Sequence, residues 1–354
     1  MTSFNISQAI DELQQQKHIP REELVSALQM ALASAYRKNF SDCGNIEVKI
    51  GDDGIKVYSV FSIVEAVEDA RIEVTLAAIE EEENTESLAV GDIYREEVTP
   101  DSFGRIAAQT AKQVIMQKIR EAERNMTYDA FVSEIDTLVV AQVQRFDRGD
   151  IIVNHMGVEM VLPVREQIPG ERYRNGDMVK AVVAEVNRTA KGPQIILSRA
   201  NHSFLTRLFE QEIPEIQDKL VFIKGVAREP GIRAKVAVAS SDDNVDPIGA
   251  CVGMRGSRIQ VIVNEVQGEK IDIIHWSEDV GRFVGAALSP VKPVNIVYEE
   301  SINKVTVHVP RNQLSLAIGR EGQNVRLAAK LTNVRIDITS TEDNEDSGEG
   351  SSND

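Results

Sequence analysis

Cysteine is almost absent from this sequence: among 354 residues only Cys43 and Cys251 occur. The chain starts "MTSFNISQAIDELQQQ", which lacks the basic stretch and apolar core of a secretory signal. Two distant thiols in such a chain read as reduced cysteines of a cytosolic protein, not as a disulfide framework. No run of about 18 apolar residues exists, so no membrane span is expected. Histidine is scarce too. His18, His155, His202, His275 and His308 are scattered without metal-ligand spacing. The run Glu80–Glu83 resembles a magnesium cluster only superficially, because consecutive side chains point in different directions. No metal or other cofactor is expected.

What is present, 42% hydrophobic and 27% charged residues, reads as soluble and globular. The length allows about two to four domains. Net charge is -17, and it is unevenly spread. Residues 1–130 carry -11, residues 131–218 carry -3, residues 219–340 carry +3, and the tail 341–354 carries -6. An acidic front and a mildly basic back suggest different partners for the two ends.

Residues 5–40 read as helix, with apolar residues at Ile6, Ile10 and Leu13, then at Leu24, Leu28, Ala31, Leu32 and Ala35. Pro20 suits the first turn of the second helix. From Asn45 the period changes to two. "IEVKI", "IKVYSVFSIV" and "ARIEVTL" alternate, and Gly51-Asp52-Asp53-Gly54 is a tight connection. A strand is expected from Asp92 to Val98, then a long helix over "FGRIAAQTAKQVIMQKIREAERNM". This front unit is α+β. Five strand candidates follow between residues 134 and 200: "TLVVAQVQRF", "DIIVNHM", "VEMVLPV", "MVKAVVAEV" and "PQIILSR". Five short antiparallel strands fit a closed β-barrel of the OB type. "ANHSFLTRLFEQEI" reads as a connecting helix.

The remainder holds an internal repeat. "GACVGMRGSRIQVIVNEVQGEKIDII" matches "LSLAIGREGQNVRLAAKLTNVRIDIT". Gly253-Met254-Arg255-Gly256 aligns with Gly319-Arg320-Glu321-Gly322, and Ile271-Asp272-Ile273 with Ile336-Asp337-Ile338. Two alternating strands precede each copy, so each reads strand, strand, helix, Gly-x-x-Gly, helix, strand. The tail "TEDNEDSGEGSSND" has no apolar residue and is expected to be disordered.

Glycine permits positive φ and removes the β-carbon, so backbone in such a loop can approach a ligand. The following helix starts with unpaired N–H groups and a partial positive charge, which suits phosphate. A nucleotide-hydrolysing P-loop would carry Lys-Ser/Thr after its last glycine. Here Ser257-Arg258 and Gln323-Asn324 stand there. The remaining phosphate-rich partner is a nucleic-acid backbone. Arg255, Arg258 and Lys270 in the first copy, and Arg320, Arg326, Lys330 and Arg335 in the second, are candidate cations, or else solvated charges on helix faces. Ile259, Ile262, Val325 and Ala328 are expected in the core. Glu321 is an anion in a loop expected to meet phosphate, so the second loop is expected to be the weaker, or to rely on helix amides and Arg326.

This order resembles a KH domain, whose Gly-x-x-Gly loop clamps about four nucleotides. The barrel segment "PGERYRNGDMVKAVVAEVNRTAKGPQIILSRA" looks like the OB module named after the first small-subunit ribosomal protein. Phe146 and His155 sit where an RNA-facing residue of such a barrel could lie, yet without more rings stacking is worth little, and both read as packing or surface residues. Over residues 1–340 the chain resembles the NusA family of bacterial transcription elongation factors. The resemblance implies a multidomain α+β protein. Residues 1–130 would form an N-terminal RNA polymerase-binding domain and residues 134–200 an OB-fold RNA-binding domain. Two tandem KH (type II) α/β domains would follow over 201–280 and 281–340, then an acidic tail over 341–354. The implied RNA-binding residues are Gly253, Met254, Arg255, Gly256, Arg258, Lys270, Gly319, Arg320, Glu321, Gly322, Arg326 and Lys330. The implied partners are RNA polymerase core, nascent single-stranded RNA and other Nus factors, for a monomeric cytoplasmic protein that modulates pausing, termination and antitermination. Glu12, Arg21, Arg37, Lys38 and Arg105 lie on front-end helix faces that could meet polymerase. No hydrolase or transferase motif appears. An RNA-degrading phosphorolytic enzyme also joins KH and OB modules, but in the opposite order and after large catalytic domains. A ribosome-assembly factor is the other alternative.

Overall fold

Leucines at helical spacing organise the first unit. Helix α1 (Arg21–Asn39) buries Leu24, Leu28, Leu32 and Tyr36, one side chain per turn along a single face. Glu22 and Glu23 occupy its first turn and Arg37 and Lys38 its last, each sign at the end that the helix dipole favours. The computed structural model describes residues 10, 11, 14, 19–40, 44–51, 54–79 and 88–341. Most of the helix expected before Pro20, together with Glu12, His18, Cys43, Glu80–Glu83 and the acidic tail, lies outside the described residues. The chain divides into two compact units at Asp129.

In the first unit, strands β1 (Asn45–Gly51) and β2 (Gly54–Ile63) pair antiparallel from Asn45↔Val60 to Gly51↔Gly54. The segment expected as a strand over "ARIEVTL" forms only β3 (Glu73–Val74), parallel to β2, before turning into the short helix α2 (Leu76–Ile79). Local side-chain bonds explain the difference. Glu73 Oε2 accepts from the Glu68 and Asp69 N–H groups at 2.7 and 3.0 Å, and Asp69 Oδ1 accepts from Arg71 N–H at 3.0 Å. These bonds fold the preceding residues into a turn instead of a ladder. The helical turn after β3 then buries Ile79 with Ile63 and Tyr94 in a small separate core. Strand β4 (Ile93–Glu97) adds to β2, and the long helix α3 (Phe103–Val132) joins α1 over Val48 and Val57.

The second unit opens with β5 (Leu138–Asp147), β6 (Asp150–His155), β7 (Val158–Leu162), β8 (Met178–Thr189) and β9 (Gly192–Ser198). They close in the order β5-β6-β7-β9-β8. All neighbours run antiparallel except β7 and β9, which pair parallel through Val161↔Ile196. The expected all-antiparallel barrel is therefore corrected at one seam, and parity requires it. Strand direction cannot alternate around a closed ring with an odd number of members.

The first repeat module comprises α4 (His202–Glu212), α5 (Pro214–Gln217), β10 (Val221–Glu229), β11 (Arg233–Ser240), α6 (Pro247–Val252), α7 (Ser257–Glu265) and β12 (Lys270–His275). The second comprises α8 (Val280–Ala287), β13 (Asn295–Glu299), β14 (Lys304–Pro310), α9 (Leu314–Ile318), α10 (Gln323–Thr332) and β15 (Arg335–Thr341). In both, the first two strands pair antiparallel and the last pairs parallel to the middle one. Each module begins with a helix, which reading the strands alone does not reveal. Helix α4, expected as a connector, buries Phe204, Leu205, Leu208 and Phe209 among Val236, Val238 and Ile262. Helix α8 was not expected. Its signal is Asp279 as N-cap, accepting from Arg282 N–H at 2.8 Å, ahead of Phe283, Val284 and Ala287.

The two modules share a layer. Ala237 and Ile274, on the sheet of the first, belong to one core with Phe283, Val284, Ala287 and Ala328 of the second. Helix α10 comes so near β10 that a β-carbon on Gly225 would stand 3.4 Å from Leu331 Cδ1.

A buried ionic network joins the barrel to the first module. Arg199 follows β9, and its side chain is 2% exposed. Its Nε donates to Glu171 Oε2 at 2.9 Å, and its Nη1 to Glu265 Oε1 at 2.9 Å and to the carbonyl of Lys180. Arg228 donates to Glu269 at 2.9 Å and to the carbonyls of Arg199 at 2.6 Å and Asn201 at 2.9 Å. Glu269, fully buried, also accepts from Gly231 N–H at 2.9 Å. With its partners present, each charge keeps close substitutes for water; removing one leaves the other stranded. Glu269→Ala is therefore expected to destabilise this unit by about 3–5 kcal/mol. Urea unfolding followed by the fluorescence of Trp276, the single tryptophan, measures it. An unchanged midpoint would show that the pair carries no such weight.

Candidate nucleic-acid interface

Both Gly-x-x-Gly loops take one backbone path. Gly253 ends α6 at φ 72, ψ 175, and Gly319 ends α9 at φ 76, ψ 169. Arg255 and Glu321 then adopt the left-handed conformation, at φ 54, ψ 27 and φ 53, ψ 28. Gly256 and Gly322 are left-handed as well. Equivalent hydrogen bonds close the turns: Gly256 N–H to Gly253 O at 3.1 Å, and Gly322 N–H to Gly319 O at 3.2 Å.

The two glycines of each loop have different jobs. A β-carbon on Gly253 would stand 2.7 Å from Arg258 Cγ, and one on Gly319 2.8 Å from the Asn324 backbone nitrogen. The first glycine thus lets the next helix pack beneath it. A β-carbon on Gly322 would meet nothing within 4 Å, and one on Gly256 only Ile259 Cγ2 at 3.9 Å. The second glycine faces open space, where backbone N–H groups at the start of α7 and α10 can be approached.

The side chains at the loop tips project outward. Met254 is 83% exposed, and Arg255 is exposed with no hydrogen bond or ion pair among the described residues. In the second loop the Arg320 and Glu321 side chains are 92% and 82% exposed, with Arg320 Nε 3.8 Å from Glu321 Oε1. Solvent screens a pair at that separation and exposure. The cation therefore sits third in the first loop and second in the second, with a carboxylate where the first loop has its guanidinium. Lys270 is exposed at the start of β12, and Arg335 at the start of β15.

Not every candidate cation is brought to the loop tips. Arg258 Nη1 donates to Glu215 Oε2 at 2.8 Å and to Ala250 O at 2.7 Å, underneath the loop. Arg326 lies on the side of α10 that meets the first module. Its Nε donates to Glu229 Oε1 at 2.6 Å and its Nη1 to the loop carbonyl of Glu321 at 3.1 Å. Gln323 donates to Glu229 as well, at 2.8 Å, and the Arg326 hydrogen bond is the main cause of a lowered Glu229 pKa. Lys330 is exposed and lies within the electrostatic reach of the same carboxylate. The second loop is thus braced from below by the first module, a tie that nothing in the local sequence announces. As expected, Ile262 and Ala328 are buried and Ile259 packs against the core from its edge, whereas Val325, also expected in the core, is only half-buried.

On the barrel, Phe146 is 47% exposed, and His155 Nδ1 lies 2.8 Å from Val140 O. On the front unit, Arg37, Lys38 and Arg105 are exposed, and Arg21 pairs with Asp11 at 2.9 Å. Cys251 is buried, and burial pushes its thiol up to about 12, which keeps it protonated at neutral pH. Among the described residues no group of His, Cys, Asp and Glu could hold a metal ion, and no helix is long and apolar enough to cross a membrane.

Comparison with known proteins adds three family matches. Residues 5–125 match the NusA N-terminal domain, residues 199–276 the NusA-like first KH domain, and residues 280–346 the NusA-like second KH domain. The transcription termination/antitermination protein NusA of Bacillus subtilis is 46% identical over 344 residues, covering 96% of this chain and 92% of the relative. The protein of the same name from Rickettsia prowazekii is 40% identical over 347 residues, covering 96% of this chain and 68% of the relative. The solution structure of the N-terminal domain of NusA from B. subtilis is 39% identical, covers 35% of this chain and 99% of its own, and has a TM-score of 0.31.

All four loop glycines hold positive φ. Gly256 and Gly322 are left-handed, which costs an L-residue about 1–2 kcal/mol, whereas Gly253 at ψ 175 and Gly319 at ψ 169 lie in a region essentially reserved for glycine. Only the first of each pair would add a clash. Gly253→Ala and Gly319→Ala are expected to lower the thermal transition of the second unit clearly more than Gly256→Ala and Gly322→Ala. Equal losses in tryptophan-monitored melts would remove the distinction between the two glycines.

Proposed function

The chain belongs to the NusA family of transcription termination/antitermination proteins, and from that membership we propose that it binds RNA polymerase and nascent single-stranded RNA, modulating pausing, termination and antitermination without catalysing a reaction of its own. The observation that carries the RNA half is the pair of matched loops. Each presents an open second glycine and an exposed residue in left-handed conformation ahead of a helix start. Backbone N–H groups and the free Arg255 side chain meet the phosphates, and Arg320 and Lys270 add positive charge nearby. The loops belong to one unit with the barrel, so one RNA strand can run over all three modules.

RNA polymerase binding is assigned to the acidic residues 1–130, an assignment supported by the compact unit Met1–Asp129. Other Nus factors act as further partners of a monomeric, cytoplasmic protein that needs no cofactor. The first loop is the stronger clamp. Glu321 occupies the position of Arg255 and repels phosphate, and Arg326 is already held by Glu229.

Replacing Met254-Arg255 and Arg320-Glu321 by Asp-Asp is expected to weaken RNA binding at least tenfold, about 1.4 kcal/mol or more, with the tryptophan-monitored fold unchanged. An unchanged dissociation constant in the folded double-loop variant rejects the loop reading. Altering the first loop alone is expected to cost more than altering the second, and equal losses contradict the ranking. For the other half, the 1–130 fragment is expected to recover RNA polymerase in a pull-down. Recovery by the full chain but not by the fragment would move the polymerase contact elsewhere.

A further inference from the structure

Arg258 and Asn324 occupy one place in the repeat, two residues past the second glycine. Each side chain lies beneath the first glycine of its loop, in the space that a β-carbon would fill. Arg258 Nη1 donates to Ala250 O in α6 at 2.7 Å. Asn324 Nδ2 donates to Ala317 O in α9 at 3.1 Å, with Leu316 O, the counterpart of Ala250 O, at 3.5 Å. Each also reaches the leading helical segment of its module: Arg258 to Glu215 of α5 at 2.8 Å, Asn324 to Leu288 O at the end of α8 at 3.3 Å. The same three-way tie is thus made once by a guanidinium and once by a carboxamide.

We propose that Arg258 and Asn324 are positioning residues that latch the two RNA loops, and that Arg258, despite its charge and its place beside the loop, does not contact phosphate. The inference rests on the reading of these loops as RNA clamps. Three observations support it. The guanidinium already faces a carboxylate and a carbonyl. Its counterpart is an uncharged side chain only 3% exposed, so the position does not require a cation. The amide of Asn324 is also fixed in orientation, because its Nδ2 faces the carbonyls of Leu288, Leu316 and Ala317, where Oδ1 would be repelled. The latch joins the helix before the loop to the helix after it, which holds the left-handed third residue outward. A loop released from it samples other conformations, and RNA must then select the competent one.

Salt-dependent binding of a labelled single-stranded RNA of about 30 nucleotides to the full chain separates a latch from a phosphate contact. A side chain on phosphate contributes about 0.7 to the slope of log affinity against log salt for single strands. Arg255→Ala is expected to weaken binding and lower the slope by that amount. Arg258→Ala is expected to weaken binding by about threefold to tenfold with the slope unchanged. Glu215→Ala should weaken it similarly, although it removes a negative charge, and the double variant should be no weaker than Arg258→Ala. Glu215→Gln keeps an acceptor and should bind as the parent does. Tighter or unchanged binding by Glu215→Ala, with a slope lost in Arg258→Ala, overturns the latch and makes Arg258 a phosphate contact. If Glu215→Ala does not fold, Arg258→Lys decides. A single ammonium spans the two acceptors poorly, so weaker binding at an unchanged slope supports the latch and parent-like binding opposes it. Replacing Met254-Arg255 by Asp-Asp checks the premise: no effect there removes the clamp reading itself, whereas an effect there with none from Glu215→Ala removes only the latch.

Discussion

Two arginines with side chains only 2% exposed tie the barrel to the first repeat module. Arg199 leaves the barrel and meets carboxylates from the barrel loop and from α7; Arg228, in the first strand of the next module, meets Glu269 and the backbone beside Arg199. Such charges tolerate few arrangements, because every donor left unpaired in a dry site is costly. The network therefore selects one docking of barrel on module. The close approach at Gly231, where a β-carbon would stand 2.9 Å from Ile168 Cγ2, fits the same tight contact. Apolar contacts through Val182 and Ile168 supply area, and the ionic network supplies the register.

The same constraint extends along the chain. Glu229 ends the strand that carries Arg228, and it receives Gln323 and Arg326 from α10. Arg326 in turn donates to the carbonyl of Glu321 in the second loop. Barrel, first module and second loop are therefore linked by adjacent contacts, while the first loop is tied within its own module through Arg258 and Glu215. The two loops share a backbone path and differ in what braces them. A flexible string of RNA modules would meet RNA piecemeal. Modules held at fixed spacing pre-set the path of a strand and reduce the ordering that binding must supply.

Much of this was legible in the sequence, because periodicity and glycine chemistry are local. The period of about four in α1, the five barrel strands, and the paired loops with the flanking strands of each repeat all follow from patterns a few residues long. What was not legible depends on residues far apart. Helix α4 reads as a connector until Phe204 and Phe209 are seen in a core formed by β11 and α7. The extent of β3 is limited by the bonds of Glu73 to residues behind it. Arg258 and Arg326 look like loop cations from their spacing. Glu215 and Glu229, which hold them, lie 43 and 97 positions away. Spacing shows that a charge is near a loop but not which way it is turned, and a carboxylate elsewhere in the chain decides that.

The central claim is that both loops engage one RNA strand from a single compact unit. The most direct test is the affinity of the full chain for single-stranded RNAs of increasing length. If the claim holds, affinity rises steeply once an oligonucleotide reaches from one loop to the other, and charge inversion in either loop abolishes that rise while shorter RNAs still bind the intact loop. A smooth increase with length, indifferent to both inversions, would contradict it.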